Sequence, residues 1–491
     1  MLNDPEDHQD IDGSSAKVEA LRPVVGYEEA SDRLAEDPED IDALIEKSIS
    51  MMAMGGGGSS RCVLLKAAEL CEAGDARNVD IRFRNAKLSL NEGLPGEALE
   101  LLDGLERISD PRTAKAVRFL RCRCLLRARR YEEMRQVLGE IVRSGELDIG
   151  VQTMIAEADA AEGDHERARA RFERILGNPS LEGSSRASTE FLHATTLDRL
   201  GDHDAAFEAA IRANRALDVD FDVESFEAET ERLLEWSTPG RIASLPLSTD
   251  RSERSVFIVG MPRSGTTLLE QIISAHPTGD GIGERFEFNM FQTLLDHRTG
   301  IAFPDSIDGG DTAMFDEFAA TYREMERSIS PTASRVTNKA LGLDARLPLI
   351  SRVLPGSRAL LLQRRPLDNL VSIFMNPINP ASVPWSCSLE GLIAGRRRFD
   401  RLVERWHEVL EIETLPLRYE DLVDDAEGRI REVLQFLGMD FDRSAVDFHE
   451  SERVVMTPSW TQVSRPMNRD AVDRWRRYER HIGPLIEAFG E

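Results

Sequence analysis

The sequence predicts an α + α/β protein, an N-terminal α-helical solenoid followed by an α/β domain with a central parallel sheet. Helix-turn-helix signatures recur through the first half of the chain. The texture changes around Pro239-Gly240 and Pro246, a turn-rich stretch suited to a boundary. Beyond it, short apolar runs alternate with helical stretches, the pattern of buried parallel strands covered by helices on both faces.

Residues 1–20 are polar and acidic and read as a tail; residues 21–240 read as the helical repeat domain. The run Gly55-Gly56-Gly57-Gly58-Ser59-Ser60 interrupts the helical pattern and reads as a flexible turn or a short linker. Four turns then look alike: Glu92 to Ala98, Arg129 to Glu133, Glu162 to Ala168, and Leu200 to Ala206. Their spacing of about 33–38 residues is close to the period of about 34 expected for tetratricopeptide (TPR) helix hairpins. Glycine, or arginine in the second turn, closes one helix, and acids open the next at its positive end. A generic helical bundle is the alternative; in either case each helix needs neighbours to bury its apolar face.

Composition narrows the function. With 491 residues the chain has room for two or three domains. A formal net charge of -27 argues against nucleic acid as a partner, because no domain-wide basic field collects phosphates. No apolar run approaches the ~18 residues of a membrane span. Met1 to Asp12 has neither the basic nor the apolar region of a secretory signal. Cys62, Cys71, Cys122, Cys124 and Cys387 form no disulfide framework, so free thiols in a reducing cytoplasm are expected.

The run Ser255 to Gly260, followed by Met261-Pro262-Arg263-Ser264-Gly265-Thr266-Thr267, reads as a strand, a turn and a helix start. Backbone N–H groups at such a turn converge and favour an anion. Gly260 and Gly265 have the spacing of a nucleotide phosphate loop, so the domain is P-loop-like. The Lys-Ser/Thr that should follow is replaced by Thr266-Thr267, and Arg263 supplies the charge instead. A second strand, Arg358 to Gln363, leads into Arg364-Arg365 and a helix bearing Ser372; a guanidinium and a hydroxyl together can grip a phosphate. The eight-residue step to Ser372 favours Arg364 over Arg365. A third apolar run covers Ile412 to Arg418. Lys339, in Thr337-Asn338-Lys339, is the only lysine after Lys115, so its position looks chemically chosen.

These motifs together resemble the sulfotransferase family over roughly residues 250–491. The Pro-Arg-Ser-Gly-Thr-Thr loop is similar to the form found in tyrosylprotein sulfotransferases and in bacterial sulfotransferases fused to tetratricopeptide repeats. The resemblance implies that Arg263, Ser264, Gly265, Thr266 and Thr267 hold the 5′-phosphosulfate of 3′-phosphoadenosine 5′-phosphosulfate (PAPS). It implies that Arg364 and Ser372 bind the 3′-phosphate. Ser459 and Arg465 match a late loop that closes over the nucleotide. Glu284 falls at the position of the catalytic base, with Glu287 as the fallback if the loop is shifted. Lys339 would stabilise charge on the transferred group. The segment Leu417 to Leu422 reads as structural, and Gly279-Asp280-Gly281 as unusually flexible.

The expected activity is sulfuryl transfer from PAPS, with no metal, to a hydroxyl. A protein tyrosine, a sugar and a small molecule remain open as acceptors, and the repeats favour a protein or peptide. The alternatives are a P-loop kinase or hydrolase, against which the missing lysine argues, and a non-catalytic TPR adaptor.

Overall fold

The computed structural model describes residues 13–72, 75, 77–91, 93–105, 108, 110–143, 148–450, 467 and 469–490. From Gly13 to Ser244 the described chain is helical, and as far as Ala216 each helix packs against the next in sequence. The four look-alike turns each separate two helices: Arg77–Asn91 from Pro95–Leu102, Pro111–Arg127 from Tyr131–Arg143, Ile149–Ala161 from His165–Leu176, and Gly183–Leu200 from His203–Ala216. Each turn carries a residue in the left-handed region, Gly93, Arg129, Gly163 and Gly201 in order. That geometry reverses the chain after a helix end. Asp164 and Asp202 then cap the following helices, accepting from Arg167 N and Ala205 N at 3.2 Å.

One ion cluster holds the third and second hairpins together. Asp159 is fully buried and accepts from Arg135 at 2.8 Å, Arg167 at 2.5 Å and Arg171 at 2.7 Å. Burial alone would push its carboxyl up; hydrogen bonds from Arg167, Arg135 and Arg171 outweigh that and hold it down at about 2.

The polyglycine run makes a tight turn between two helices, through Gly55 at φ 96°, and is no linker. Gly57 begins the helix Gly57–Leu70, and this helix start is pressed onto the α/β domain. A Cβ on Gly56 would lie 2.5 Å from Met290 Sδ, and one on Gly58 would lie 2.9 Å from Met325 Cγ. Ser59 N donates to the buried carboxylate of Glu287 at 3.0 Å. The glycines are there because two surfaces meet at backbone thickness.

The α/β domain is built on five parallel strands: β1 (Ser255–Gly260), β2 (Gly279–Gly281), β3 (Arg335–Asn338), β4 (Arg358–Gln363) and β5 (Glu413–Arg418), in the order β2-β3-β1-β4-β5. β1 is central and buried along its whole apolar stretch, flanked by β3 and β4. Because the sheet is parallel, all five carboxyl ends lie along one edge, the edge where such sheets bind ligands. β2 and β3 carry no sustained apolar run and are not evident in the sequence.

The main core does not stop at the compositional boundary. Phe207, Leu233 and Trp236 from the helical region share one apolar cluster with Phe257, Phe288, Phe374 and Trp406 from the α/β domain. Phe207 stacks on Phe374 with centroids 5.2 Å apart. Trp236 Nε1 donates to Asp308 at 2.9 Å, and Asn214 donates to the Phe374 carbonyl at 3.0 Å. Among the described residues no helix is long and apolar enough to cross a membrane.

Two outcomes follow for stability. A chain beginning at Leu245 should be recovered as aggregate, because it strips the partners from Phe374 and its neighbours; a monodisperse, cooperatively unfolding fragment by gel filtration and calorimetry would contradict this. Asp159→Asn should lower unfolding free energy by about 1.5–3 kcal/mol at neutral pH. The folded carboxyl titrates below its unfolded value of about 3.9, so its contribution is complete above that pH and disappears as pH falls through about 2. Denaturant titrations should therefore show the gap between wild type and variant closing over that acid range.

Candidate functional site

The site is assembled at the carboxyl edge, one strand at a time. β1 ends at Gly260, where a Cβ would lie 2.6 Å from Ser264 Oγ and 2.8 Å from Thr266 Cγ2; only glycine lets the turn fold back this tightly. Arg263 has φ 65°, an uncommon conformation for a side chain of its size, and Gly265 has φ 107° before the helix Thr266–Ala275 begins. A helix start leaves backbone N–H groups without intrahelical acceptors, and this one lies at the carboxyl end of β1.

The second motif holds this loop in place. Arg364 Nη1 donates to the Arg263 carbonyl at 2.8 Å, and Asn369 donates to the Pro262 carbonyl at 2.7 Å. Arg263 Nε in turn donates to Ser372 Oγ at 3.2 Å. Arg263, Arg364 and Ser372, distant in sequence, are thus brought together. Arg364 is buried and faces inward; Arg365 is exposed, 3.6 Å from Asp473. Of the two arginines, Arg364 is the one that reaches the loop. Buried Ser264 Oγ and Arg364 Nε have no hydrogen-bond partner among the described residues.

Electrostatically this corner is positive. Burial first, then the like charges of Arg364 and Arg474, push the Arg263 guanidinium down to about 10. Arg263 is still charged at neutral pH, and an anion placed among these groups would relieve the repulsion. Thr267 is buried and Thr266 half-buried at the helix start.

On the other side of β1, β2 and β3 bring Glu284 and Lys339 into contact, Nζ to Oε1 2.9 Å. The ammonium is almost fully buried (side chain 3% exposed) and the carboxylate is open (36%), so the pair presents its acidic face outward. The turn before Glu284 is held by Glu270, whose Oε1 accepts from Gly283 N at 2.9 Å, and by Lys339 N on the Gly283 carbonyl at 3.0 Å. The glycines of β2 are not flexible. A Cβ on Gly279 would collide with the Ile273 carbonyl, and one on Gly281 would lie 2.6 Å from Glu270 Cγ. Asn338 fixes the start of the Lys339 loop, accepting from Arg285 N at 3.2 Å and Ala340 N at 3.0 Å. Glu287 points elsewhere, onto Ser59 N of the helical region, and burial pushes its carboxyl up.

Two site residues lie in the segment the sequence assigns to structure. Tyr419, just after β5, lies under the Arg364 guanidinium, 4.8 Å from its ring centroid, and a Cβ on Gly265 would be 2.5 Å from Tyr419 Cδ2. Glu420 Oε1 accepts from Arg365 N at 2.9 Å. The available signal was position, since they follow a predicted strand on the ligand-binding edge. Ser459 and Arg465 lie outside the described residues. Where description resumes, the Ala471 carbonyl accepts from Arg364 Nη2, and Asp473 N and Trp475 N donate to Asp368 at 2.8 and 3.1 Å. Among the described residues no cluster of three or more His, Cys, Asp or Glu side chains is arranged to ligate a metal.

Residues 255–443 match the model of the sulfotransferase family. The chain is 27% identical over 330 residues to a protein of Aquifex aeolicus (strain VF5) described as uncharacterized; the match covers 65% of this chain and 43% of that one. The chain thus spans less than half the length of that relative. It is 24% identical over 263 residues to protein-tyrosine sulfotransferase 2 of Gallus gallus, covering 48% of this chain and 68% of that one. Among solved structures, the sulfotransferase domain from the Synechococcus PCC 7002 olefin synthase aligns at 18% identity with a TM-score of 0.34, over 48% of this chain and 91% of that one. Residues 255–443 of this chain thus match the sulfotransferase family model, behind an N-terminal region that is helical among the described residues.

Proposed function

We propose that this protein transfers the sulfuryl group of PAPS to a hydroxyl, with a protein tyrosine as the favoured acceptor. The observation that carries this reading is the meeting of Arg263, Arg364 and Ser372 with unpartnered Ser264 Oγ around one loop, across β1 from the Glu284–Lys339 pair. The donor set fits a nucleotide with two separated anionic groups. The β1 loop suits the 5′ end and the Arg364–Ser372 side suits a 3′-phosphate. When bound, PAPS supplies the sulfuryl group and leaves as 3′-phosphoadenosine 5′-phosphate. Glu284 takes the acceptor proton as the acceptor oxygen bonds to sulfur and the sulfur–phosphate oxygen bond breaks. Lys339, buried against Glu284, offers its ammonium to the charge that develops on the leaving side. The helical region would present the acceptor, since arrays of helix hairpins offer extended surfaces to peptides. A reducing compartment such as the cytoplasm suits the five free cysteines.

The reading is tested by ligand choice and by two substitutions. 3′-Phosphoadenosine 5′-phosphate should raise the melting temperature, and ATP with magnesium should not; the reverse would favour a kinase or hydrolase. Arg263→Ala should weaken affinity for 3′-phosphoadenosine 5′-phosphate by about 1.5–3 kcal/mol in calorimetry, with the fold unchanged by circular dichroism.

Glu284→Gln keeps an oxygen for Lys339 to donate to and loses the base. Turnover should fall by roughly 10²–10⁴-fold while nucleotide affinity changes little. Near-normal turnover in that variant would remove Glu284 from the mechanism.

A further inference from the structure

The helical region reaches the anion site through one carboxylate. Asp198 lies near the end of the helix Gly183–Leu200 and is almost buried, its side chain 9% exposed. Its Oδ2 accepts from the Arg474 guanidinium and its Oδ1 from the Tyr478 hydroxyl. His203 Nδ1 lies 3.3 Å from the same Oδ1. A residue so far from the sheet in sequence, with both oxygens committed to the C-terminal segment, is an anchor for that segment.

The same segment is tied to the anion loop from its other side. Arg364 bridges it to the loop, donating through Nη1 to the Arg263 carbonyl and through Nη2 to the Ala471 carbonyl. Asp368, on the helix that also bears Ser372, receives the backbone N–H groups of Asp473 and Trp475. Arg474 sits between those two N–H groups in the chain, so its backbone is fixed by the α/β domain and its guanidinium by the helical region. Asp473 adopts φ 60°, which turns the chain so that both attachments are met. Arg474 stands close enough to Arg263 for its charge to disfavour that of Arg263. Next to it, Phe207 stacks on His481 with centroids 4.8 Å apart, and His481 Nε2 is 2.9 Å from Asp204. The helical region thus braces the whole turn Arg474–His481.

We infer that Asp198 is a positioning residue for the nucleotide site, holding Arg474 beside Arg263 as a third guanidinium for the anionic ligand. The helical region then contributes to donor binding as well as to any acceptor it presents. This inference rests on the reading that the site takes a 3′-phosphorylated adenine nucleotide. Asp198 acts only through Arg474, which separates it from a residue that touches the ligand.

A double-mutant cycle on the full-length protein tests this, with affinity for 3′-phosphoadenosine 5′-phosphate measured by calorimetry. Asp198→Ala should weaken binding about tenfold, comparable to losing one ordered charge-assisted contact, and Arg474→Ala should do the same. In the Arg474→Ala background, Asp198→Ala should have no further effect. With any accepted hydroxyl substrate, KM for PAPS should rise and kcat should stay near wild type. Should Asp198→Ala not fold, Asp198→Asn, which keeps the side-chain volume, supplies the same cycle. Unchanged affinity in the Asp198 variant, or an equal loss with and without Arg474, would overturn the inference while leaving the functional reading intact. A wild-type protein that binds no 3′-phosphoadenosine 5′-phosphate would overturn both.

Discussion

Like charges crowded at the end of the central strand are the constraint around which this molecule is organised. Arg364 and Arg474 both disfavour the charge of Arg263, and its burial adds to that cost. Nothing in the β1 loop alone could hold them. The backbone is pinned instead by donors aimed at carbonyls, Arg364 on Arg263 and Asn369 on Pro262, and by the carboxylates of Asp368 and Asp198 behind the late segment. Counter-charges therefore sit at the back of the arginines and leave the front positive. That arrangement leaves the front of the loop suited to an anion.

The sheet provides the frame for this arrangement. Five parallel strands place five loops on one edge, and each loop contributes a charged group: Arg263, Glu284, Lys339, Arg364 and Glu420 in chain order. β1 lies in the middle, so the anion groups that follow β1 and β4 fall on one side and the Glu284–Lys339 pair falls on the other. A donor and an acceptor approaching that edge would meet over the end of β1. Small residues set the tolerances: Gly265 leaves room for the Tyr419 ring, and Gly281 for the Glu270 side chain.

Much of this was legible in the sequence, and the exceptions have physical causes. β1 and β4 announce themselves because central strands buried on both faces are continuously apolar, and their residues matched the predicted runs at both ends. β2 did not, since Gly-Asp-Gly owes its place to packing against Ile273 and Glu270 rather than to any pattern of its own. The site residues near the loop could be proposed from spacing because each follows a strand. Asp368 and Asp198 could not, since their roles depend on which segments meet in space. Glycine misled twice, in the run 55–58 and in β2, where close approach and flexibility leave the same signature in sequence.

The glycine face of the helix Gly57–Leu70 bears on how the two halves of such a chain can be exchanged. Surfaces joined through side chains can be re-cut one residue at a time, because a neighbour's rotamer can give way. Here helix backbone meets Met290 and Met325 with no intervening carbon, so the fit is a property of both partners at once. A helical array moved onto a different sulfotransferase domain would need the methionine-lined seat moved with it. The junction therefore behaves as a matched pair in which the array and the α/β domain must change together.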